Sequence, residues 1–207
     1  MTVVIGLAGQ MRSGKSSIAR LLSEQMGWPV LSFAEALRDE LALAWFGKGK
    51  DRATSRFFLA QLEDYDKAAV RPLLQAWGES KRKLIHRDYW VDALAQRIAN
   101  TIPEPEVVII DDVRHANEMM YILRMKGIII HLSADEEELL ERGATLEGLS
   151  HASERGISTL EGLERTYSNR VVGLDTTNIS PLRAFNEIMP FIFSWWDSII
   201  ERRGGEE

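Results

Sequence analysis

The residues with the clearest chemical meaning are Gly9-Gln10-Met11-Arg12-Ser13-Gly14-Lys15-Ser16, which follow the spacing G-x-x-x-x-G-K-[ST]. Glycines in such a stretch let successive backbone N–H groups point inward and form a nest for an anion. A helix that starts at its end adds unpaired N–H groups and a partial positive charge. Lys15 would reach the β- and γ-phosphates of a nucleotide, and the Ser16 hydroxyl would ligate Mg²⁺. The stretch predicts a phosphate-binding loop, whose contacts would come from Gly9, Arg12, Ser13, Gly14, Lys15, Ser16 and Ser17.

A second set of chemically useful groups is the acid pair Asp111 and Asp112, which ends the apolar run 107–112. Ligands of open α/β sheets bind at the carboxyl ends of the strands, and a carboxylate there can hold Mg²⁺ or its water shell. Successive side chains of a strand point to opposite faces, so we expect one acid to face the metal. Which of the two does so stays open, and we expect the other to have a structural role, as Asp112 would if it capped the helix that follows.

The elements that must position these groups alternate between strands and helices, as in an α/β fold with a mainly parallel sheet. Residues 57–100 are predicted to be helical, with interruptions near Pro72, Gly78 and Asp88, and the charged segment 135–165 is predicted to be a mobile helical hairpin or lid. Ser180 and Pro181 would start the last helix. The predicted strands are 3–9, 30–33, 107–111, 128–134 and 170–176, and the other predicted helices are 15–27, 34–46, 113–127 and 180–203.

Composition narrows the class of protein. The 207 residues include 25 Lys and Arg, 31 Asp and Glu, and no Cys, which gives a net charge of −6. This length suits one domain, and the lack of Cys excludes disulfide frameworks and thiolate metal sites. An acidic chain without a basic tail speaks against nucleic-acid binding. We find neither a signal peptide nor an apolar stretch long enough for a membrane helix, so we expect a cytoplasmic protein.

Five further motifs accompany the loop: SFAEALRD (32–39), VRPLLQAWGESKR (70–82), DYWVDAL (88–94), IIDDVRHANE (109–118) and SHASE (150–154). Together with the loop they resemble the deoxynucleoside monophosphate kinase family, which is known from bacteriophages and is related to the adenylate-kinase-like P-loop kinases. The resemblance extends from about residue 3 to about residue 178. Two of the motifs depart from the usual family pattern, because His115-Ala116 replaces Phe-Pro and Glu79-Ser80 replaces Thr-Glu.

The resemblance implies a three-layer α/β sandwich with a mainly parallel five-stranded sheet. Its core would comprise 1–33, 106–134 and 170–203, with a helical acceptor-binding insert at about 34–100, a lid at about 135–169 and a flexible tail at 204–207. The implied reaction transfers the γ-phosphoryl group of ATP to a deoxynucleoside monophosphate in the presence of Mg²⁺. Its partners would therefore be small nucleotides.

The resemblance also implies roles for particular residues. Catalysis would rest on Lys15, Arg12, Arg114, Asp112 and Arg142, because arginine and lysine stabilise charge on phosphoryl groups. Trp90 could stack on the base, although a tryptophan in an apolar helix is more often a core residue. The metal would be held by Ser16 with Asp111 or Asp112. The acceptor would be bound by Phe33, Ala34, Arg38, Arg71, Gln75, Gly78, Arg82, Asp88, Trp90, Arg114, Asn117, His151 and Glu154.

Several alternatives remain at this stage. The chain could be a P-loop kinase for another small metabolite, of the phosphomevalonate or dephospho-coenzyme A type. It could also be a non-catalytic nucleotide-binding switch, although the set of arginines argues against that hypothesis. The pair Trp195-Trp196 fits either a homodimer interface or core packing of the terminal helix, and core packing is the more common arrangement.

Overall fold

The computed structural model describes residues 2–101, 107–150 and 158–204, which divide into two compact units. The first unit comprises Met1–Leu31 and Glu104–Glu207, and the second comprises Ser32–Pro103. The strands are β1 (Val3–Gly9), β2 (Val30–Leu31), β3 (Val107–Val113), β4 (Ile128–Ser133) and β5 (Val171–Asp175). The helices of the first unit are α1 (Lys15–Met26), α6 (Ala116–Arg124), α7 (Glu136–Glu141), α8 (Leu146–Ser150), α9 (Ser158–Thr166) and α10 (Pro181–Gly204). Those of the second unit are α2 (Phe33–Phe46), α3 (Arg52–Tyr65), α4 (Lys67–Leu84) and α5 (Tyr89–Thr101).

The sheet of the first unit has five strands in the order β2-β3-β1-β4-β5, and every neighbouring pair is parallel. This confirms the α/β fold predicted from the sequence. The strands are apolar runs because both faces of the sheet are covered, as is usual for parallel sheets. Since all five strands run in the same direction, the residues that follow β1, β3, β4 and β5 lie at one edge of the sheet.

Helices cover the sheet on both faces, which gives the three layers. On one face, α1 and α10 pack on alternate residues of the strands, such as Ile5, Ile109 and Ile130. On the other face, α6 lies so close to β1 that a Cβ on Gly6 would be 2.5 Å from Cδ1 of Ile122. Trp195 is buried in the core on the α1 and α10 side of the sheet and donates a hydrogen bond to the Lys126 carbonyl at 3.1 Å. Of the two alternatives for this residue, the structure therefore shows core packing.

Several predicted boundaries differ from the structure. β2 has only two residues because Ser32 ends it and caps α2, where its hydroxyl accepts a hydrogen bond from the Glu35 N–H at 3.0 Å. α3 begins at Arg52, five residues before the predicted helical segment 57–100, because the Asp51 side chain caps it and accepts a hydrogen bond from Thr54 N at 2.7 Å. α4 continues through Pro72 and Gly78, so the predicted interruptions there are wrong.

The second unit is built from its four helices around two small packing regions. Leu41, Ala42, Leu59 and Val70 form a buried cluster where α2, α3 and α4 meet. Leu94 and Trp90 of α5 are also buried. Asp66 caps α4 through a hydrogen bond from Ala69 N at 3.0 Å, which explains why α3 and α4 are separated by a single residue.

Among the described residues, no helix has the length and apolar composition needed to cross a bilayer.

Candidate functional site

The loop between β1 and α1 has the backbone shape that the sequence predicts for anion binding. Gly9 (φ +139°), Arg12 (φ +66°) and Gly14 (φ +98°) all adopt positive φ values. A side chain at Gly9 would collide with the Leu132 carbonyl oxygen of the neighbouring strand β4, so glycine is required there. The Ser13 N–H donates to the Gln10 carbonyl at 3.2 Å and closes a turn. Arg12 lies at the exposed tip of this turn.

Lys15 is buried and its ammonium group holds the loop. Its Nζ donates to the Gly9 carbonyl at 2.7 Å and to the Gln10 carbonyl at 2.6 Å. The side chain therefore curls back over the loop, which fixes the ammonium next to the nest. Ser16 is exposed and Ser17 half-buried in the first turn of α1.

The N-terminus of α1 is open to an anion. Its N-cap, Gly14, makes no side-chain capping hydrogen bond, and the first turn contains no acidic residue. The N–H groups of this turn and the positive end of the helix dipole can therefore serve a ligand. The Ser13 hydroxyl is buried and has no hydrogen-bond partner among the described residues, so it also leaves room for a polar ligand.

The carboxyl end of β3 carries the acid pair, both half-buried. Gly6 pairs with Ile110 and Ala8 pairs with Val113, so Asp111 and Asp112 together oppose Leu7. This β-bulge breaks the simple alternation of faces on which the sequence argument relied. Asp112 is still in the strand, and the N-cap of α6 is His115, so the alternative that Asp112 caps the helix is wrong.

The turn after β3 is held by Glu118. This buried carboxylate accepts hydrogen bonds from the backbone N–H groups of Arg114 at 2.8 Å and His115 at 2.9 Å. It therefore fixes Arg114 immediately beyond the acid pair, while Asn117 lies in the first turn of α6. No group of three or more His, Cys, Asp or Glu side chains that could enclose a metal occurs within residues 2–101, 107–150 and 158–204. A Mg²⁺ site would therefore use few protein oxygens, as is usual when phosphates and water supply the rest.

Arg142 contacts the backbone of the phosphate-binding loop and the backbone that follows β5. Its Nη2 donates to the Thr176 carbonyl at 2.6 Å and its Nη1 to the Arg12 carbonyl at 3.4 Å, while its Nε donates to Glu138 at 2.8 Å. The sequence predicts Arg142 as an arginine that closes over phosphates. In this structure its guanidinium group instead holds backbone carbonyls, so a direct phosphate contact stays a prediction.

Thr176, which the sequence analysis did not identify as a site residue, completes this support. It is buried directly after β5, and its hydroxyl lies 3.2 Å from the Ser13 carbonyl and 2.8 Å from the Ser133 carbonyl. Its neighbour Asp175 accepts hydrogen bonds from the hydroxyl and the backbone N–H of Thr177, which lower the pKa of the Asp175 carboxyl. The parallel sheet could have indicated Thr176, because the end of β5 lies at the same edge as the loop.

A cavity of about 510 Å³ lies beside the loop, lined by Gln10, Glu136, Leu146, Leu149 and Ser150. Gly148 of α8 approaches the loop so closely that a Cβ there would be 2.5 Å from Sδ of Met11. α8, which belongs to the segment predicted to be a lid, thus contacts the phosphate-binding loop directly.

The second unit arranges four predicted acceptor residues along one helix. Arg71, Gln75, Gly78 and Arg82 all lie on α4, which the structure shows as uninterrupted. At about 100° per residue they fall within about 60° of one another, so they form one stripe. The sequence alone did not predict that these residues share one face, because Pro72 and Gly78 were expected to interrupt the helix.

Two other predicted acceptor residues have structural contacts in this unit. Trp90 is buried and its indole N–H donates to the Gly78 carbonyl at 2.9 Å, so the core alternative is supported over base stacking. The Nε of Arg38 donates to Glu63 at 2.9 Å. Phe33 is buried, Ala34 is half-buried and Asp88 is exposed.

A polar group lies next to the stripe, centred on Glu40 of α2. The Tyr89 hydroxyl donates to Glu40 Oε2 at 2.7 Å, and the Lys81 ammonium contacts Glu40 Oε1. Hydrogen bonding to this carboxylate raises the pKa of both Tyr89 and Lys81. Lys81 therefore stays a cation in the turn of α4 that also carries Arg82.

Of the predicted acceptor residues, His151 and Glu154 lie outside the described residues, as does Ser153 of the same motif.

A parallel sheet with a glycine-rich loop between its first strand and a helix, and acids at the end of the neighbouring strand, defines a P-loop nucleotide-binding fold. Residues 5–148 match the family described as "AAA domain", and the chain belongs to this family. No match was found among the curated proteins.

Two solved structures share the fold. A gluconokinase from Sinorhizobium meliloti 1021 is 18% identical, with 97% of each chain covered and a TM-score of 0.53. A sugar kinase from Janibacter sp. HTCC2649 is also 18% identical, with 93% of this chain and 95% of that chain covered and a TM-score of 0.53.

Proposed function

We propose that this protein is a phosphotransferase that moves the γ-phosphoryl group of ATP to a deoxynucleoside monophosphate. The observation that carries the proposal is the loop from Gly9 to Ser16, with its positive-φ backbone, its lysine folded over the nest and an uncapped helix N-terminus. These features suit a triphosphate, because they supply N–H donors and positive charge without a competing acid.

The metal partner of ATP would be Mg²⁺, held by the Ser16 hydroxyl and by a carboxylate of Asp111 or Asp112. These are hard oxygen ligands, and both acids stand at the end of the strand next to β1. When bound, the ion would neutralise negative charge on the phosphates.

Positive charge for the transferring group would come from Lys15, Arg12 and Arg114. Transfer forms a bond between an acceptor phosphate oxygen and the γ-phosphorus and breaks the bond from that phosphorus to the bridging oxygen of ADP. Because the acceptor oxygen is already ionised at neutral pH, no strong base is needed, and catalysis rests on positioning and electrostatics.

The acceptor would lie along the stripe of α4, which presents Arg71 and Arg82 as cations and Gln75 as an amide. A guanidinium group binds two phosphate oxygens at once, whereas an acceptor that offers only a neutral hydroxyl would gain little from it. The stripe thus favours a phosphorylated acceptor, and the resemblance of the motifs to those of deoxynucleoside monophosphate kinases supports a nucleotide.

The experiment is ADP formation from ATP and Mg²⁺ with dAMP, dGMP, dCMP, dTMP, 5-hydroxymethyl-dCMP and the ribonucleotides as acceptors, and with gluconate as the hydroxyl acceptor. We expect ADP that depends on one or more deoxynucleotides. ADP formed with gluconate alone would assign the chain to kinases of hydroxylated metabolites. ATP binding without ADP from any acceptor would favour a nucleotide-binding switch.

A variant of the stripe tests the acceptor site. Arg82→Ala should raise the KM for the acceptor about tenfold or more and leave the affinity for ATP nearly unchanged, because one bidentate phosphate contact is lost. Lys83→Ala is the matched control, since Lys83 is the next residue, is 70% exposed and pairs only at the surface with Glu79. Equal losses for both substrates in Arg82→Ala would contradict the acceptor role.

A further inference from the structure

Three arginines of the second unit converge on one buried carboxylate. Asp39 of α2 is 8% exposed. Its Oδ1 lies 3.2 Å from Nε of Arg56, and its Oδ2 lies 3.2 Å from Nη1 of Arg97. Arg52 Nη2 contacts the same Oδ2. We call Arg52, Arg56 and Arg97 the arginine cluster.

The arginine cluster carries more positive charge than its partners neutralise. Among the described residues, the other acid that contacts it is Glu35, whose Oε1 accepts from Arg97 Nη2 at 2.6 Å. Three guanidinium groups against two carboxylates leave a surplus of one positive charge. An anion beside the half-buried guanidinium groups of Arg56 and Arg97, where solvent screens charge less than at Arg52, would remove this surplus.

One donor of the arginine cluster also lacks an acceptor. Arg56 Nη1 is buried and has no hydrogen-bond partner among the described residues. A buried donor of a charged group is costly to leave unsatisfied, so such an atom calls for an explanation. A bound oxyanion would supply both the missing acceptor and the missing negative charge.

The arginine cluster is open to solvent and separate from the stripe of α4. The Arg52 side chain is 60% exposed, whereas those of Arg56 and Arg97 are 28% and 26% exposed, so a ligand could enter past Arg52. Asp39 and Leu37 are two residues apart on α2, which puts them on nearly opposite sides of the helix. Leu37 faces Gly78 of the stripe, so the arginine cluster lies on the other side of α2.

We propose that the arginine cluster is a binding site for a phosphoryl oxyanion, distinct from the phosphate-binding loop and from the acceptor stripe. Asp39 lies between the three guanidinium groups and competes with the ligand for them, and the ligand completes their hydrogen bonding. Guanidinium groups suit this ligand because their planar donors match the oxygens of a phosphate. The phosphoryl group could belong to free phosphate or to a nucleotide. The proposal goes beyond the phosphotransferase function and does not depend on it.

The test measures the melting temperature of the full chain carrying Lys15→Ala, which weakens the phosphate-binding loop. Sodium phosphate is compared with sodium chloride at equal ionic strength and pH. Both salts screen charges equally under these conditions, so a higher melting temperature in phosphate reports binding to the native state. We expect a rise in phosphate that is absent in chloride. The same titration with a deoxynucleoside triphosphate distinguishes the two sources of the phosphoryl group by their affinities.

Two further substitutions should change phosphate affinity in opposite directions. Arg56→Gln should weaken it at least tenfold, because a charge and three of the five N–H donors are lost. Asp39→Asn should strengthen it, because the competing carboxylate is removed. Arg183→Gln is the control, since Arg183 is 69% exposed on α10 and pairs with Glu187. If Arg56→Gln does not fold, Arg52→Gln at the exposed edge replaces it.

The proposal would be wrong if phosphate raised the melting temperature no more than chloride did, or if the rise were unchanged in the arginine variant. The arginine cluster would then have a structural role alone. A fall in affinity in Asp39→Asn would also overturn the proposal. None of these measurements requires turnover. A protein that binds phosphate here but forms no ADP would refute the phosphotransferase proposal and leave this one intact.

Discussion

At the scale of single residues, Lys15 has two tasks. Two of its three N–H donors hold the carbonyls of Gly9 and Gln10, so the lysine shapes the loop before any nucleotide binds. Lys15→Ala should therefore lower turnover about 10²-fold or more, because a preorganised charge at the phosphates is lost. It should also lower the free energy of unfolding by about 1–3 kcal/mol, because a buried and a partly buried carbonyl lose a charged donor.

Turnover and urea unfolding of Lys15→Ala check both effects. Arg20→Ala is the matched control on the same helix, since Arg20 is 72% exposed and lies 3.8 Å from Glu24. The control should keep wild-type turnover and stability within about 0.5 kcal/mol. Unchanged turnover in Lys15→Ala would contradict the assignment of the loop.

Thr176 acts on the loop through its hydroxyl. Thr176→Val keeps the shape of the side chain but removes the group that lies between Arg142 and the Ser13 carbonyl. We expect kcat to fall about tenfold or more, since small displacements of positioning groups reduce rates strongly. Thr177→Val is the control, because Thr177 bonds to Asp175 and Asp135 and not to the loop. A loss of stability with unchanged kcat would show that Thr176 only supports the fold.

The sequence predicted some residues better than others. Lys15 could be predicted because a loop motif fixes its neighbours along the chain. Trp90 and Arg38 could not be resolved, because their environments depend on helices far away in the sequence. The Gly78 carbonyl and the Glu63 carboxylate, which accept their hydrogen bonds, are 12 and 25 residues away.

At the scale of elements, α4 depends on a glycine at a helix contact. A Cβ on Gly78 would lie 2.7 Å from Cδ1 of Leu37, so α2 and α4 pack closely there. Gly78→Ala should lower the free energy of unfolding by about 1 kcal/mol, because overpacking of about 1–3 kcal/mol outweighs the gain in helix propensity. It should also weaken acceptor binding by shifting the stripe.

Gly162→Ala provides the control for this substitution. Gly162 lies in α9, and a Cβ there would meet no atom within 4 Å. This variant should gain about 0.5–1 kcal/mol from helix propensity alone. Urea unfolding of both variants therefore isolates the packing cost at Gly78, and equal changes in the two would contradict the close contact.

Elements could be predicted wherever local pattern and tertiary packing agree. The apolar runs 3–9 and 128–133 became β1 and β4 because both faces of the sheet are covered. The carboxyl end of β3 could not be predicted, because its bulge arises from pairing with β1 and leaves no local signal. The break predicted in α4 failed because Pro72 and Gly78 were judged by intrinsic propensity, which tertiary contacts override.

At the scale of the whole molecule, the strand order places the site. β1 lies between β3 and β4, so the loop that follows β1 is flanked by the acid pair on one side and by Leu132 and Ser133 on the other. β5 adds Thr176 at the same edge. Groups from three distant parts of the sequence thus surround one loop, because the parallel strands all end on the same side of the sheet.

This arrangement makes the stability of the chain dependent on its ligand. The loop, the acid pair and Thr176 all belong to the first unit, so binding of MgATP should stabilise that unit. At a concentration of about 100 times Kd, the gain is about 2.7 kcal/mol. For a chain of this size, that corresponds to a rise in melting temperature of about 5–10 °C.

Thermal melting with MgATP, with Mg²⁺ alone and with ATP plus a chelator checks the linkage. We expect the full rise only with MgATP, a smaller rise with chelated ATP, and little in Lys15→Ala, because the lysine and the metal both act on the same phosphates. If the two units melt in separate transitions, the ligand should shift the transition of the first unit. An equal rise in Lys15→Ala would show that ATP stabilises the chain somewhere other than the loop, which would contradict the site described above.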